Sequence, residues 1–177
     1  MTDGPPGPTL WPAPAGTARD DGLRFIIRTD GAARGNPGPA SAGAVLIDAS
    51  RPDATDPLAS ADASISDYLG VQTNNVAEYT GVVRALDLAR DLGATEVALM
   101  LDSKLIVEQL AGRWRVKDVK LIPLWEQARL TLRTFARWSA VHVPRAQNSA
   151  ADALANEAID RVRAGGPASV VRRNRAG

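Results

Sequence analysis

The run Val97-Ala98-Leu99-Met100-Leu101 carries no polar side chain at any position. A strand turns successive side chains to opposite faces, so a run that is apolar throughout is expected of a central strand in a parallel sheet, covered on both sides. Helices must then supply a layer on each face. The run Phe25-Ile26-Ile27-Arg28-Thr29 is nearly as apolar, and each run is followed directly by an aspartate, Asp30 in one case and Asp102 in the other. A carboxylate at the carboxyl end of such a strand projects into the crevice where open α/β sheets bind ligands.

The remaining patterning fills in a single α/β domain over about 23–163, a size that can bury a full core. Strands are predicted at about 23–29, from Ser41 to Asp48 and within 59–70, with 49–58 (Pro52, Pro57) as the turn between the last two. A helix over about 74–92 buries Val76, Tyr79, Val83 and Leu86 at spacings of three and four and stops at Gly93. After the 97–101 strand come a short helix from Ser103 to Gly112 and a longer one with the stripe Leu121, Trp125, Ala128, Leu132 and Phe135. A last strand at about 139–143 stops at Pro144, and a closing helix at about 149–163 buries Leu154, Ala158 and Val162. Residues 1–22, rich in proline and glycine, are predicted disordered. The stretch 164–177, with Gly165-Gly166-Pro167 and scattered arginines, is predicted to be a flexible basic tail.

Composition narrows the chemistry. The chain has no cysteine and one histidine, so a thiolate or histidine-rich metal site is excluded and nothing points to disulfides. Oxygen must hold any metal here. Asp30 and Asp102, with Glu78 just inside the first helix and Asp152 inside the last, offer the hard ligands that Mg²⁺ or Mn²⁺ prefers. Singly, each acid has an ordinary explanation: Asp102 as a helix cap, Glu78 as a first-turn acid favoured by the helix dipole, Asp152 as one of many acids early in helices. The four together favour a metal site that cuts phosphodiesters. A net charge of +1 is no argument for nucleic acid, but Arg113, Arg115, Lys117 and Lys120 cluster around Trp114 in one connecting segment. No apolar run approaches the roughly 20 residues of a membrane span, and the start lacks a signal-peptide layout, so a cytoplasmic location is expected.

Four segments resemble ribonuclease H of type 1, in the family's order: Asp30-Gly31 with Gly35-Asn36-Pro37-Gly38-Pro39, Thr73-Asn74-Asn75-Val76-Ala77-Glu78, Asp102-Ser103, and Asn148 four residues before Asp152. Arg34-Gly35-Asn36 and Val143-Pro144-Arg145 are similar to its actinobacterial and archaeal-like branch, which lacks a long basic helical handle; 113–120 is too short to hold one. The resemblance implies a five-stranded mixed sheet, order 3-2-1-4-5 with strand 2 antiparallel and helices on both faces. It implies hydrolysis of the RNA strand of RNA–DNA hybrids, leaving 5′-phosphate and 3′-hydroxyl ends. Asp30, Glu78, Asp102 and Asp152 would hold two Mg²⁺ or Mn²⁺ ions, Asp30 shared between them. Two such ions can activate the attacking water and stabilise the leaving oxygen. Many bacterial relatives carry a mobile loop histidine before the last aspartate. His142 has a comparable position but alternates as a strand residue, so Arg145 is the candidate for that place. Asn36, Thr73, Asn74 and Asn75 suit backbone phosphates and ribose hydroxyls, or turn and capping chemistry. Trp114, with Arg113, Arg115 and Lys117, would grip the DNA strand by charge and stacking, or form a solvated loop anchored by the tryptophan. A monomer without membrane or protein partners is expected. A non-catalytic hybrid-binding module, another nuclease or integrase-type enzyme of the superfamily, and the amino-terminal part of a protein with a fused phosphatase domain are the alternatives.

Overall fold

The computed structural model describes residues 22–174. Of the segment predicted to be disordered, all but Gly22 lies outside the described residues. The elements are β1 (Leu23–Ala33), β2 (Gly38–Asp48), β3 (Ala63–Gln72), α1 (Asn74–Asp91), β4 (Ala94–Leu101), α2 (Lys104–Leu110), α3 (Ile122–Leu132), β5 (Arg137–His142), a 3₁₀ turn (Arg145–Asn148), α4 (Ser149–Arg163) and β6 (Ser169–Arg173). They form one sheet of order β5-β4-β1-β2-β3-β6, in which β2 is antiparallel to β1 and β3, while β4 and β5 run parallel to β1. The first five strands stand in the expected order 3-2-1-4-5.

Alternation along β1 divides the core. Phe25 and Ile27 pack with Tyr79, Val83 and Leu86 of α1 and with Ala128 and Leu132 of α3, all buried. Ile26 turns to the other face, with Ile47, Ala98, Met100 and Val143. The stripe Leu121, Trp125, Ala128, Leu132 and Phe135 faces the first of these clusters. Gly93, at φ +88°, ends α1 where a side chain would be strained. In α4 the buried face differs from expectation. It consists of Ala151, Ala155, Ala158 and Ile159, and Leu154 and Val162 are only partly buried. The reason is closeness: a Cβ added at Gly43 on β2 would stand 2.1 Å from the Ala151 carbonyl oxygen, so alanines are what the contact admits.

The sixth strand corrects the expectation of a flexible tail. Gly165, at φ +85°, turns the chain back, and 169–173 pairs antiparallel with β3. Arg161 on α4 ties the return, its Nε donating to the Pro167 carbonyl at 2.7 Å and its Nη2 to the Ser66 carbonyl at 2.7 Å. The Ser169 hydroxyl donates to Asp67 Oδ1 at 2.5 Å, and Arg172 pairs with Glu157 at 2.9 Å. Charge counted by composition suggested a solvated tail; in place, part of that charge is paired, and the strand covers an otherwise open edge.

Candidate active site

Asp30 does not end its strand, as the apolar run implied. β1 continues to Ala33, and Asp30 pairs with Gly43 of β2 inside the hairpin ladder. The parallel neighbour β4 is the strand that stops, its ladder with β1 closing at Thr29–Leu101. Asp30 is thus the first residue of β1 beyond β4, and Asp102 follows immediately where β4 ends. Glu78 reaches the same place from the first turns of α1 because β1 and α1 touch backbone to backbone. A Cβ at Gly31 would lie 2.2 Å from Glu78 N. Asp30, Glu78 and Asp102 each present an oxygen within 4.8 Å of the others. Asp152, from the first turn of α4, lines the same cleft of about 380 Å³, together with Gly31, Ala33, Asn74 and Arg145.

So many carboxyl groups in a half-buried site cannot all ionise at ordinary cost. Burial, and then the charge of Asp102, raise the Asp30 carboxyl to about 8, and a hydrogen bond with Asp152 adds to the shift. Burial and Asp102 likewise raise Glu78 to about 7, while the Ser103 hydroxyl and the Arg145 charge act in the opposite direction. Asp102 is raised by burial, with Arg145 and His142 opposing. An all-oxygen set held close against its own repulsion fits a hard divalent cation, which would replace the retained protons.

Several residues hold this cluster without being predicted to. Asn148, singled out in the sequence only within the family-like segment that leads to Asp152, with no role of its own, is buried, and its amide donates to the Thr29 carbonyl at 3.1 Å and to the Met100 carbonyl at 3.5 Å. It thereby fastens the start of α4, and with it Asp152, to the two strands that present Asp30 and Asp102. Arg28, 1% exposed, donates to the carbonyls of Gln147 at 3.4 Å and Thr55 at 3.2 Å, bridging the turn before α4 to the 49–62 loop. An arginine inside an otherwise apolar run was the available signal. His142 ends β5, and its Nε2 lies 3.1 Å from the Asp102 carbonyl oxygen. Arg145 lines the cleft and His142 does not.

Known proteins share this plan. A family model described as reverse transcriptase-like matches residues 28–158. Ribonuclease HI of Halobacterium salinarum is 43% identical over 145 residues, covering 80% of this chain and 67% of that protein. The chain belongs to the ribonuclease H type 1 family. Bifunctional protein Rv2228c of Mycobacterium tuberculosis is 48% identical over 138 residues, 78% of this chain, and this chain spans only 36% of its length. The N-terminal RNase H domain of Rv2228c, solved as a fusion with maltose binding protein, matches with a TM-score of 0.73 at 45% identity, over 81% of this chain and 98% of that one. LC11-RNase H1, solved in complex with an RNA/DNA hybrid, matches with a TM-score of 0.68 at 39% identity, over 78% of this chain and 99% of that one.

Other members of the predicted site of this ribonuclease H domain surround the cleft or lie apart from it. Asn36 and Asn74 bind each other's segments: Asn36 Oδ1 accepts from Asn74 N at 3.2 Å, and Asn74 Oδ1 accepts from Ala33 N at 3.1 Å. Thr73 caps α1, its hydroxyl oxygen accepting from Val76 N at 3.3 Å. The turn and capping role is therefore real for these three, and both asparagine side chains keep an amide NH₂ on an exposed surface. Asn75 is exposed beside them. Trp114 and Arg115 line a second cleft of about 520 Å³ with Arg113, Val116, Ile122 and Trp125; Lys117 follows, exposed. Trp114 is 45% exposed, with Lys104 Nζ 5.9 Å from its ring centre. No helix among the described residues is long and apolar enough to cross a membrane.

Proposed function

We propose that this chain is an endonuclease that hydrolyses the RNA strand of RNA–DNA hybrids, leaving 5′-phosphate and 3′-hydroxyl ends. The observation that carries the reading is the meeting of three carboxylates within 4.8 Å in an open cleft that also holds Asp152 and Arg145. Asp30, Glu78, Asp102 and Asp152 would hold two Mg²⁺ or Mn²⁺ ions, Asp30 serving both. Bound there, such ions supply an activated water and stabilise the departing 3′-oxygen. The chain's own residues do the rest. The four acids fix the cluster, and the carboxyl groups of Asp30 and Glu78 would give up their retained protons on loading. Arg145 puts positive charge beside the scissile phosphate; a guanidinium has no basic lone pair to accept a proton, so it acts by charge and positioning. The free amide groups of Asn36 and Asn74, with Asn75, offer donors to phosphates and 2′-hydroxyls, the groups that distinguish RNA from DNA. Trp114, Arg115 and Lys117 hold the DNA strand, the tryptophan by stacking and the cations by phosphate contact. A hybrid bound to LC11-RNase H1, a relative at 39% identity, supports this substrate class.

The test is cleavage of end-labelled RNA–DNA hybrid against single-stranded RNA and duplex DNA, with Mg²⁺, Mn²⁺ or chelator. Cleavage of the hybrid's RNA strand alone, dependent on the metal and giving products that a ligase accepts through a 5′-phosphate, is the expected result. Asp102→Asn should abolish it while the protein still melts cooperatively. Near-normal activity in Asp102→Asn would reject the site.

A further inference from the structure

Behind the Trp114 cleft, three polar groups from three parts of the chain meet at one buried residue. Gln109 on α2 is 4% exposed, and Tyr79 on α1 is fully buried. The Tyr79 hydroxyl donates to Gln109 Oε1 at 2.5 Å, and Gln109 Nε2 donates to the Arg115 carbonyl at 3.3 Å. The main-chain carbonyl of Gln109 accepts the Trp125 indole N–H at 3.0 Å. Chemistry fixes the amide's orientation. A carbonyl can only accept, so the nitrogen must face Arg115, which leaves the oxygen for the tyrosine to donate to.

The segment gripped in this way carries Trp114, Arg115 and Lys117. Its first two amides are held by α2 itself, since the Glu108 carbonyl accepts from Arg113 N at 3.0 Å and Trp114 N at 3.2 Å. These bonds only continue the helix end. The Arg115 carbonyl is held instead by a side chain, and that side chain is braced by the core. We infer that Gln109 is a positioning residue for the substrate. Its amide fixes the main chain of Arg115, and through it the aim of Trp114, Arg115 and Lys117 at the DNA strand, without touching that strand itself. The inference rests on the function proposed above. Tyr79 is not needed for it: the Arg115 carbonyl alone requires the amide nitrogen to face it, and the tyrosine hydroxyl only satisfies the oxygen left over. A glutamine that merely filled core space would leave substrate affinity untouched when replaced by an apolar residue of similar length.

Steady-state cleavage of a labelled hybrid by Gln109→Met, Tyr79→Phe and the double variant, each also melted, separates the two cases. Gln109→Met removes the Arg115 tether and leaves a buried tyrosine hydroxyl without a partner; KM should rise about tenfold with kcat within about twofold, and Tm should fall. Tyr79→Phe keeps the tether, and KM should stay within about twofold of wild type. The double variant orphans no buried hydroxyl, so Tm should recover relative to Gln109→Met while KM stays high. If Gln109→Met does not fold, the double variant carries the test. A KM near wild type in the double variant, or a KM that recovers along with Tm, overturns the positioning role. A wild type that cleaves no hybrid overturns the proposed function and this inference together, whereas normal wild-type cleavage with an unaltered double variant overturns the inference alone.

Discussion

With its carboxyl raised from 3.8 to about 8 by burial and by Asp102, Asp30 keeps its proton at neutral pH when no metal is present, whereas in the unfolded chain it ionises near 4. Between those two values the folded state binds more protons than the unfolded one, so stability falls as pH rises. The contribution is fully present below about pH 4 and is lost by the time pH passes about 8. In chelator, Asp30→Asn should therefore melt close to wild type at pH 5 and several degrees above it at pH 8.5, as read by calorimetry across that range. Equal differences at both pH values would mean that Asp30 is not the group holding the proton. Asp30 and Asp102 were legible as candidates from the apolar runs before them, and Glu78 and Asp152 mainly from the segments that resemble the family's. Their mutual repulsion was not, since it depends on residues 48, 72 and 122 positions apart being brought into one cleft. Arg28 and Asn148 were opaque for the same reason: their partners, Gln147 and Thr29, are 119 residues away in both cases.

Among the elements, the pairing of β1 with α1 positions the site most directly. An added methyl at Gly31 would meet the Glu78 backbone at 2.2 Å, and backbone cannot rotate aside as a side-chain tip can. Overpacking of this kind costs about 1–3 kcal/mol, and here the strain falls between two of the clustered carboxyl groups. Gly31→Ala should lose several degrees in Tm and more than tenfold in kcat at a metal concentration that saturates the wild type, checked by melting and hybrid cleavage in parallel. A variant that loses stability but keeps kcat would show that the Asp30–Glu78 spacing tolerates the shift. Periodicity revealed the helices and the first five strands along the chain, because amphipathic and fully apolar segments differ in pattern; their order in the sheet came from the family resemblance. It misjudged the face of α4, since alanine gives a weak hydrophobic signal although small size is what the Gly43 contact requires. It also missed β6, where a valine pair among arginines joins a sheet only because β3 leaves its edge open.

Over the whole molecule the net charge is +1, so any grip on nucleic acid must come from where the cations sit rather than from how many there are. Arg115 and Lys117 are exposed in one segment beside a half-exposed tryptophan. If each meets one phosphate, replacing either with glutamine should lower the slope of log affinity against log salt by about one. Fluorescence anisotropy of a labelled hybrid over a salt series reads this, and an unchanged slope would remove that residue from the contact. The position of Asp30 inside the β1–β2 ladder has a consequence of another kind. A carboxylate on a loop would be ordered by the ion it binds, and its amide would exchange with solvent deuterium quickly in the empty protein. The amides of Asp30 and Ala32 instead face β2 in a continuous antiparallel ladder, and their exchange follows the opening of the sheet, whereas Gly31 N donates to Asp30 Oδ1 and Ala33 N to Asn74 Oδ1. The Asp30 and Ala32 amides should exchange about as slowly as those of Ile26 and Arg28, and adding Mg²⁺ should slow both groups together, as expected if an ion would meet the Asp30 carboxylate already in place.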